Sequence, residues 1–460
     1  MASAFDLAAA GTPAPGDHLV AGTAPAVGAA APTATTSPLP APPAPAPPVS
    51  APHLLAPHLL APLVQAGPLL APYLRIEPGA GPDMQAGAPA VIIRPTPFSA
   101  PRTAIVHYWL TGMRGGERVL ERMLRLWPGA DLFTHVYAPD AVSREIRARR
   151  VTTSFIDRLP GARRHYQKYL PLMPLALEQF DLSAYDLVLS SESGPAKGVI
   201  ARPDAAHVSY VHSPMRYLWD HYHEYRASAG WLTRVLMPPL FHYLRGWDAA
   251  SAARVDRLVA NSTFVRRRIA RAWGRDAEVV HPPVSVDEFR VDPEPCGEYL
   301  WVGQMITYKR PAIVVEAFNR LRLPLLMVGD GPLHERMRRL AGPTVRIERR
   351  LDFAALKAAY ARCRALVFSA HEDFGIVPVE ANAAGRPVLA FGRGGVTDSI
   401  VPGVTGQFFA GQTADDVIAG VETLERWLPR FDPADAVANA ARFAPGRFDA
   451  GLLAEVERAL

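Results

Sequence analysis

The stretch HEDFGIVPVE at residues 371–380 holds two carboxylates, Glu372 and Glu380, eight positions apart around a Phe-Gly pair. Such a pair can act as acid and base at a glycosidic bond, or it can be an ordinary solvated loop. Placement on secondary structure separates the two. ALVFSA (365–370) reads as a buried strand, and the chain from Pro378 to Ala384 as a helix stopped by Gly385. Glu372 then falls in a loop at the strand's carboxyl end, and Glu380 in the helix's first turns. The backbone N–H groups of Phe374, Gly375 and Ile376 can aim at an anion, because glycine permits close approach and a helix N-terminus favours negative charge. A pyrophosphate fits that cradle, with Glu380 a turn deeper and placed to accept hydrogen bonds from a ribose diol. VGQMITYKRP (302–311) sets Lys309 and Arg310 after another strand, where a cation can neutralise a leaving diphosphate. FGRGGVTDSI (391–400) is a third, glycine-rich loop of the same kind.

These loops need a scaffold. The 460 residues are 49% hydrophobic and 20% charged, which gives room for two or three domains. Residues 1–100 hold 21 of the 46 prolines, four acids and two bases. Tracts such as TSPLPAPPAPAPPVS cannot run as helix or central strand, so this segment reads as a disordered Ala/Pro-rich extension, with a repeated Ala-Pro-x-Leu-Leu unit inside it. It lacks a basic start followed by an unbroken apolar run and so does not read as a signal peptide. With the chain at +5 overall, the remainder carries +7, so basic character belongs to the folded part. Cys296 and Cys363 have no metal-type spacing and suit a reducing cytoplasm. No uninterrupted apolar run is long enough for a spanning helix.

From residue 101 strands alternate with helices, which argues for parallel α/β sheets. TAIVHYW (103–109), DLFTHVY (131–137), YDLVLSS (185–191), HVSYVHS (207–213) and DRLVANS (256–262) are the first set of strands. YLWVG (299–303), LPLLMVG (323–329), TVRIERR (344–350), ALVFSA, PVLAF (387–391) and GQFF (406–409) are the second. The expectation is two Rossmann-like doubly wound domains, 101–290 and 291–445, facing a cleft at the carboxyl ends of their strands, with a helix in 446–460 crossing back to the first domain. The aromatic stretch YLWDHYHEYRASAGWLTRVLMPPLFHYLRG between two strands of the first domain should be helical in pieces broken at Pro238 and Pro239.

The motifs occur together in one order: E-x7-E from Glu372 to Glu380, the VGxxxxxKR loop, VGDGP at 328–332, GGVTDSI and TGQFF. On these, the chain from about 103 onward resembles the retaining glycosyltransferases of family 4, which have the two-domain GT-B fold. GGERVLE, YDLVLSSESGPAKGV, YVHSPMRYLWD and VANSTFVRRRI make the first domain similar to the bacterial O-antigen and exopolysaccharide mannosyltransferase branch. The resemblance implies that Lys309 binds the donor diphosphate in the loop of Gly303, and that Glu380 binds the nucleotide ribose. It implies that Glu372 contacts the transferred sugar, with Phe374 and Gly375 near it. Gly115 and Gly116 would form the first domain's loop against the donor, and His212 would reach the sugar or acceptor from the opposite wall. Gln304 stands where the family usually has arginine, so one of two diphosphate cations is missing; Arg310 or an arginine of the first domain is the expected substitute. The implied reaction is front-face attack, in which the leaving diphosphate oxygen takes the acceptor proton; a double displacement through Glu372 is the alternative.

Other chemistries lack support. Asp220, His221, His223 and Glu224 in WDHYHEYR lack the His spacing of a helical zinc site, so no metal is expected. GRGGV is not a dinucleotide fingerprint, and SSESG is not a nucleophile elbow. RARRVTTSFIDRLPGARRHYQKYLPLMP (147–174) interleaves Arg147, Arg149, Arg150, Arg158, Arg163, Arg164 and Lys168 with Phe155, Tyr166, Tyr169 and Leu170. That pattern suits either an anionic membrane surface or a solvated basic face over a core, and the second-domain motifs argue against nucleic acid. The resulting expectation is a hexosyltransferase without a cofactor, peripheral on the inner face of the cytoplasmic membrane. It would move mannose from GDP-mannose to a lipid-linked oligosaccharide in exopolysaccharide or lipopolysaccharide synthesis. A UDP-sugar donor and a non-catalytic sugar-nucleotide scaffold are the alternatives.

Overall fold

The computed structural model describes residues 101–460. The extension expected to be disordered, 1–100, lies outside the described residues. Seven strands, β1 (Thr103–His107), β2 (Asp131–Thr134), β3 (Val151–Thr153), β4 (Leu187–Glu192), β5 (Ala206–Val211), β6 (Arg257–Ala260) and β7 (Glu278–Val279), form one parallel sheet in the order β3-β2-β1-β4-β5-β6-β7. Six more, β8 (Tyr299–Val302), β9 (Leu325–Val328), β10 (Val345–Glu348), β11 (Leu366–Phe368), β12 (Val388–Phe391) and β13 (Gly406–Phe409), form a second in the order β10-β9-β8-β11-β12-β13. The central strands are buried on both faces because helices cover both: β1 and β4 are buried throughout, the polar residues at their carboxyl ends included. Strand order reverses between β1 and β4 and again between β8 and β11, and crevices open at such reversals, outside the carboxyl ends of the strands. The loops after β1, β4, β5, β8, β11 and β12 carry the chemistry described below. β3 and β7 are short edge strands that the sequence pattern had not revealed.

Two expectations are corrected. The first is the break at Pro238 and Pro239: a single helix, Trp231–Ala252, runs through both. Both prolines lie on its exposed side, so the carbonyls they cannot serve face outward, and the Arg234 carbonyl that Pro238 leaves unbonded accepts from Arg226 Nε at 3.4 Å. The second is the apolar half of the 147–174 face. Tyr166 and Leu170 are buried in one cluster with Met237 and Phe241, and Phe155 and Tyr169 pack against it. Arg149 turns back to donate to Leu124 O at 2.9 Å and to Pro128 O. The aromatic residues of this segment belong to the core or pack against it, and what remains outside is largely cationic apart from Leu172.

The helix Pro445–Glu457 places Phe448, Leu452 and Val456 in the core of the first domain, with Ile105, Leu120 and Tyr210. Arg257 Nη2 holds Glu455 at 2.7 Å, and Arg122 pairs with Asp449. The chain thus passes between domains twice, and the passages touch: Val284 N–H donates to Phe443 O at 2.9 Å. Among the described residues no helix is long and apolar enough to cross a membrane.

Candidate active site

On the second-domain wall, the loop after β8 turns through Thr307–Lys309, and Ser369 Oγ pins it by donating to Lys309 O at 2.7 Å. Gly303 gives the lysine its path, since a Cβ there would lie 3.3 Å from both Cδ and Nζ of Lys309. Lys309 Nζ meets Glu372 Oε1 at 2.7 Å. Burial alone would lower the Lys309 pKa, but Glu372 and then Tyr308 outweigh it and the pKa is raised, so the group is an ammonium. Backbone packing fixes the Glu372 loop: Gly395 N–H donates to Glu372 O at 2.9 Å, and a Cβ on Gly394 would sit 2.4 Å from that same oxygen. The glycines of FGRGGVTDSI therefore support HEDFG by close backbone approach.

Gly375, at φ +89°, is the residue before the helix Ile376–Ala383. Among the described residues no hydrogen bond uses the amides of Gly375, Ile376 or Val377, so these donors stand open at the cleft. Phe374 is not part of the open surface; its ring is buried, stacked on His281 at 5.5 Å and packed on Phe443 at the same distance. Its contribution is to anchor the turn. Glu380 Oε2 accepts from Tyr360 OH at 2.8 Å. Burial raises the Glu380 pKa, opposed by Tyr360 and by Arg118 from the first domain.

The other wall closes on the same point. The helix Gly115–Leu126 begins against the second domain, where a Cβ on Gly115 would be 3.3 Å from Ile376 Cδ1. A Cβ on Gly116 would overlap Tyr108 OH and lie 3.6 Å from His212 Nε2. Behind His212 runs a chain of polar contacts. Glu117 Oε1 is 3.7 Å from His107 Nε2, His107 Nδ1 is 3.0 Å from Ser191 Oγ, and Ser191 Oγ is 2.9 Å from His212 Nε2. Glu117 also accepts from Arg114 N–H at 2.8 Å; burial opposes its ionisation, but His107 and that amide lower its pKa overall. At 3.7 Å the Glu117 contact is an electrostatic approach and not a hydrogen bond, and we place the His107 proton on Nε2, toward that carboxylate. Ser191 then donates to His107 Nδ1 and accepts from His212 Nε2–H, which leaves His212 Nδ1 as an acceptor. Desolvation lowers the His212 pKa to about 3, so the imidazole is neutral.

Asp373, between Glu372 and Phe374, joins the two walls. Arg216 Nη2 meets it at 2.8 Å and Arg268 Nη1 at 2.7 Å, while Ser262 Oγ donates to its carbonyl. Burial works against its charge, yet the two guanidinium groups lower its pKa overall. Thr263 N–H, at the start of the helix Thr263–Trp273, donates to Asp398 Oδ2 at 2.6 Å, so the acid of GGVTDSI caps a first-domain helix. Arg216 also lies over the Tyr308 ring at 5.8 Å, and Glu372 is among the groups that raise its pKa. A first-domain cation thus stands at the centre of the site. Gln304 and Arg310 are both exposed and in no ion pair among the described residues, with Arg310 in the left-handed region at φ +51°.

Of the residues singled out in the sequence, Lys309, Glu372, Gly303, Gly375, Ile376, Gly115, Gly116 and His212 come together. Glu380 lies a turn deeper, and Gln304 and Arg310 stay at the edge. Sequence reasoning did not single out Asp373, Arg216, Arg268, His107, Glu117 or Ser191, although Asp373 sits inside HEDFG, the motifs GGERVLE, YDLVLSSESGPAKGV, YVHSPMRYLWD and VANSTFVRRRI hold Glu117, Ser191, Arg216 and Arg268, and an arginine of the first domain was expected. In WDHYHEYR, Asp220 pairs with Arg268, and His221 Nδ1 is 2.9 Å from Glu224 Oε2. Beneath the floor Lys197 is fully buried, paired with Asp248 and 3.8 Å from Glu192 Oε1, and Trp219 and Trp273 each donate to Asp248 Oδ2 at 2.8 Å.

Comparison with known proteins follows the same division. The family model described as Glycosyltransferase Family 4 matches residues 113–288, and that described as Glycosyl transferases group 1 matches residues 297–426. The D-inositol 3-phosphate glycosyltransferase 2 of Catenulispora acidiphila is 28% identical over 317 residues, covering 55% of this chain and 74% of that protein. The D-inositol 3-phosphate glycosyltransferase of Mycolicibacterium paratuberculosis is 29% identical over 236 residues, covering 45% of this chain; the chain spans only 53% of that relative's length. A crystal structure of Anabaena Alr3699/HepE in complex with UDP-glucose superposes with a TM-score of 0.57 at 17% identity, over 78% of this chain and all of that one. Each of the two parallel-sheet domains thus matches a glycosyltransferase model, and the chain resembles the family 4 glycosyltransferases of GT-B fold.

Proposed function

We propose that this chain transfers a hexose from a nucleoside diphosphate sugar to an acceptor hydroxyl with retention at the anomeric carbon. The observation that carries the reading is the Lys309–Glu372 pair at 2.7 Å, set beside the open amides of Gly375, Ile376 and Val377. On donor binding the diphosphate takes Lys309 from Glu372, and the freed carboxylate accepts hydroxyls of the sugar. Arg216, which pairs with Asp373 and lies over the Tyr308 ring at 5.8 Å, is the cation we assign in place of Gln304. Glu380 takes the ribose diol. The bond from the anomeric carbon to the diphosphate oxygen breaks and the acceptor oxygen bonds on the same face, its proton passing to the departing diphosphate. Lys309, Arg216 and the helix-end amides stabilise the charge that develops, a metal-independent arrangement. His212 Nδ1 accepts a hydroxyl from the bound sugar or acceptor.

The donor we favour is a UDP-sugar, because the Anabaena protein of the same fold is solved with UDP-glucose; GDP-mannose, implied by the resemblance of the first domain, is the competing donor. The acceptor we propose is a lipid-linked saccharide at the inner face of the cytoplasmic membrane, with a phosphorylated cyclitol as the comparison suggested by the relatives' names. Thermal shift with UDP, GDP and ADP ranks the nucleotide, since a ligand that binds only the folded state raises its stability. Transfer of radiolabelled sugar from UDP-glucose and from GDP-mannose to membrane lipid and to inositol 3-phosphate then reads the reaction. Glu372→Gln should bind the nucleotide and lose transfer. Wild-type rates in that variant would sink the assigned site, and binding without turnover on any acceptor would favour a scaffold.

A further inference from the structure

The helix Trp231–Ala252 buries one stripe, Met237, Phe241 and Leu244, against the first domain. Its opposite side is apolar as well. Trp231 is 78% exposed, Val235 63% and Tyr243 56%, with Leu232 and Leu236 also exposed. Residues at i and i+4 adjoin on a helix, so Trp231 with Val235 and Leu232 with Leu236 make one continuous strip. On a separate element Leu175, 54% exposed, and Leu172 also face outward, while Leu170 and Met173 of that segment share the core cluster of Met237 and Phe241. Isolated exposed apolar side chains need no explanation, but five along one face of a single helix do.

Charge selects what covers it. No acidic residue occurs from Tyr225 to Trp247, whereas Arg226, Arg234 and Arg245 do. A shallow hollow at the start of the helix is lined by His223, Arg226, Ala227 and Arg234. Tryptophan and tyrosine at the ends of an apolar strip, with Arg226 and Arg234 at the Trp231 end, match the boundary between acyl chains and phosphate headgroups, while Arg245 turns inward to Leu218 O and the Tyr222 ring.

We propose that the outward face of Trp231–Ala252, with Leu172 and Leu175, is the surface by which this chain docks on an anionic lipid bilayer. The docking element is therefore this helix and not the aromatic residues of 147–174, which belong to the core or pack against it. Docking gives a membrane-borne acceptor its route to the cleft and in that purpose rests on the sugar-transfer reading; its test does not, because binding is read without donor or turnover.

The full chain is co-sedimented with phosphatidylglycerol-rich vesicles and with pure phosphatidylcholine vesicles. Preferential binding to the former is expected, weakened roughly tenfold or more by the double substitution Trp231→Glu with Val235→Glu. Leu172→Glu with Leu175→Glu, on the other element, should weaken it in the same direction, while Leu453→Glu on the last helix should not. Quenching by brominated acyl chains should disappear in Trp231→Phe. Each variant is checked for a wild-type thermal shift with nucleotide, which separates loss of docking from loss of the site. Equal vesicle binding by wild type and both double variants overturns the proposal. So does a wild type that ignores vesicles and sediments as a dimer dispersed by the same substitutions, since the face would then be an interface between copies of this chain.

Discussion

The two walls of the cleft reach a common point by opposite means. The second-domain wall is built of charge held in short loops: Lys309, Glu372 and the open amides each follow directly from the end of a strand. The first-domain wall, apart from Arg216 and Arg268 where it meets Asp373, is built of neutral or internally balanced groups drawn from distant segments, with His107 from β1, Glu117 from the first helix, Ser191 from β4 and His212 after β5. A wall made from loops can present charge to a ligand because water reaches it. A wall made from a buried chain of hydrogen bonds fixes the protonation of one atom at its end. The difference predicts unequal responses to substitution.

The largest effect should come from Lys309→Ala, which removes the ammonium facing the departing diphosphate; kcat should fall about 100- to 1000-fold, measured by radiolabelled transfer. A loss below tenfold would mean that Arg216 and the amides carry the charge without it. Asp373→Asn tests where the walls meet. It leaves Arg216 and Arg268 without their shared carboxylate and should cost about 3 kcal/mol in a denaturant titration. Ser191→Ala cuts the chain behind His212. If that chain sets the tautomer, kcat should fall about tenfold with donor KM little changed, and Ser191→Thr should restore most of it. An Ala variant indistinguishable from wild type would reduce the chain to packing.

The smallest effect concerns stability and pH. Burial, partly offset by Lys197, raises the Glu192 pKa from 4.5 to about 7. A carboxyl whose pKa is raised on folding contributes stability below its unfolded value and loses it as pH rises through the folded one. Wild type should therefore lose stability relative to Glu192→Gln between about 4.5 and about 7, read as melting temperature against pH. Parallel profiles for the two proteins would show that Glu192 stays ionised beside Lys197.

The same contrast explains what the sequence disclosed. Eleven of the thirteen strands could be read because each is a short, largely apolar run, the edge strands β3 and β7 being too short to show, and the second-domain loops because each motif is contiguous. Asp373 was visible as a letter but not as a joint, since its partners Arg216 and Arg268 lie more than a hundred residues away. His107 and Ser191 read as strand residues and became informative only when β1 and β4 paired. The helix through Pro238 and Pro239 was misread because propensity weighs against proline in helix interiors without knowing that the affected carbonyls face outward or find Arg226. The basic-aromatic pattern at 147–174 could not reveal which of its residues faced in.

The two passages between the domains, joined by the hydrogen bond from Val284 to Phe443, have a mechanical consequence. A pair of halves linked by one strand can swivel freely; linked by two strands at one place, they share an axle. Relative motion is then confined largely to opening and shutting about that line, so each closure returns Asp373 to Arg216 and Arg268 in the same alignment. The last helix is the pin of that axle, and removing it would leave the halves connected but no longer aligned.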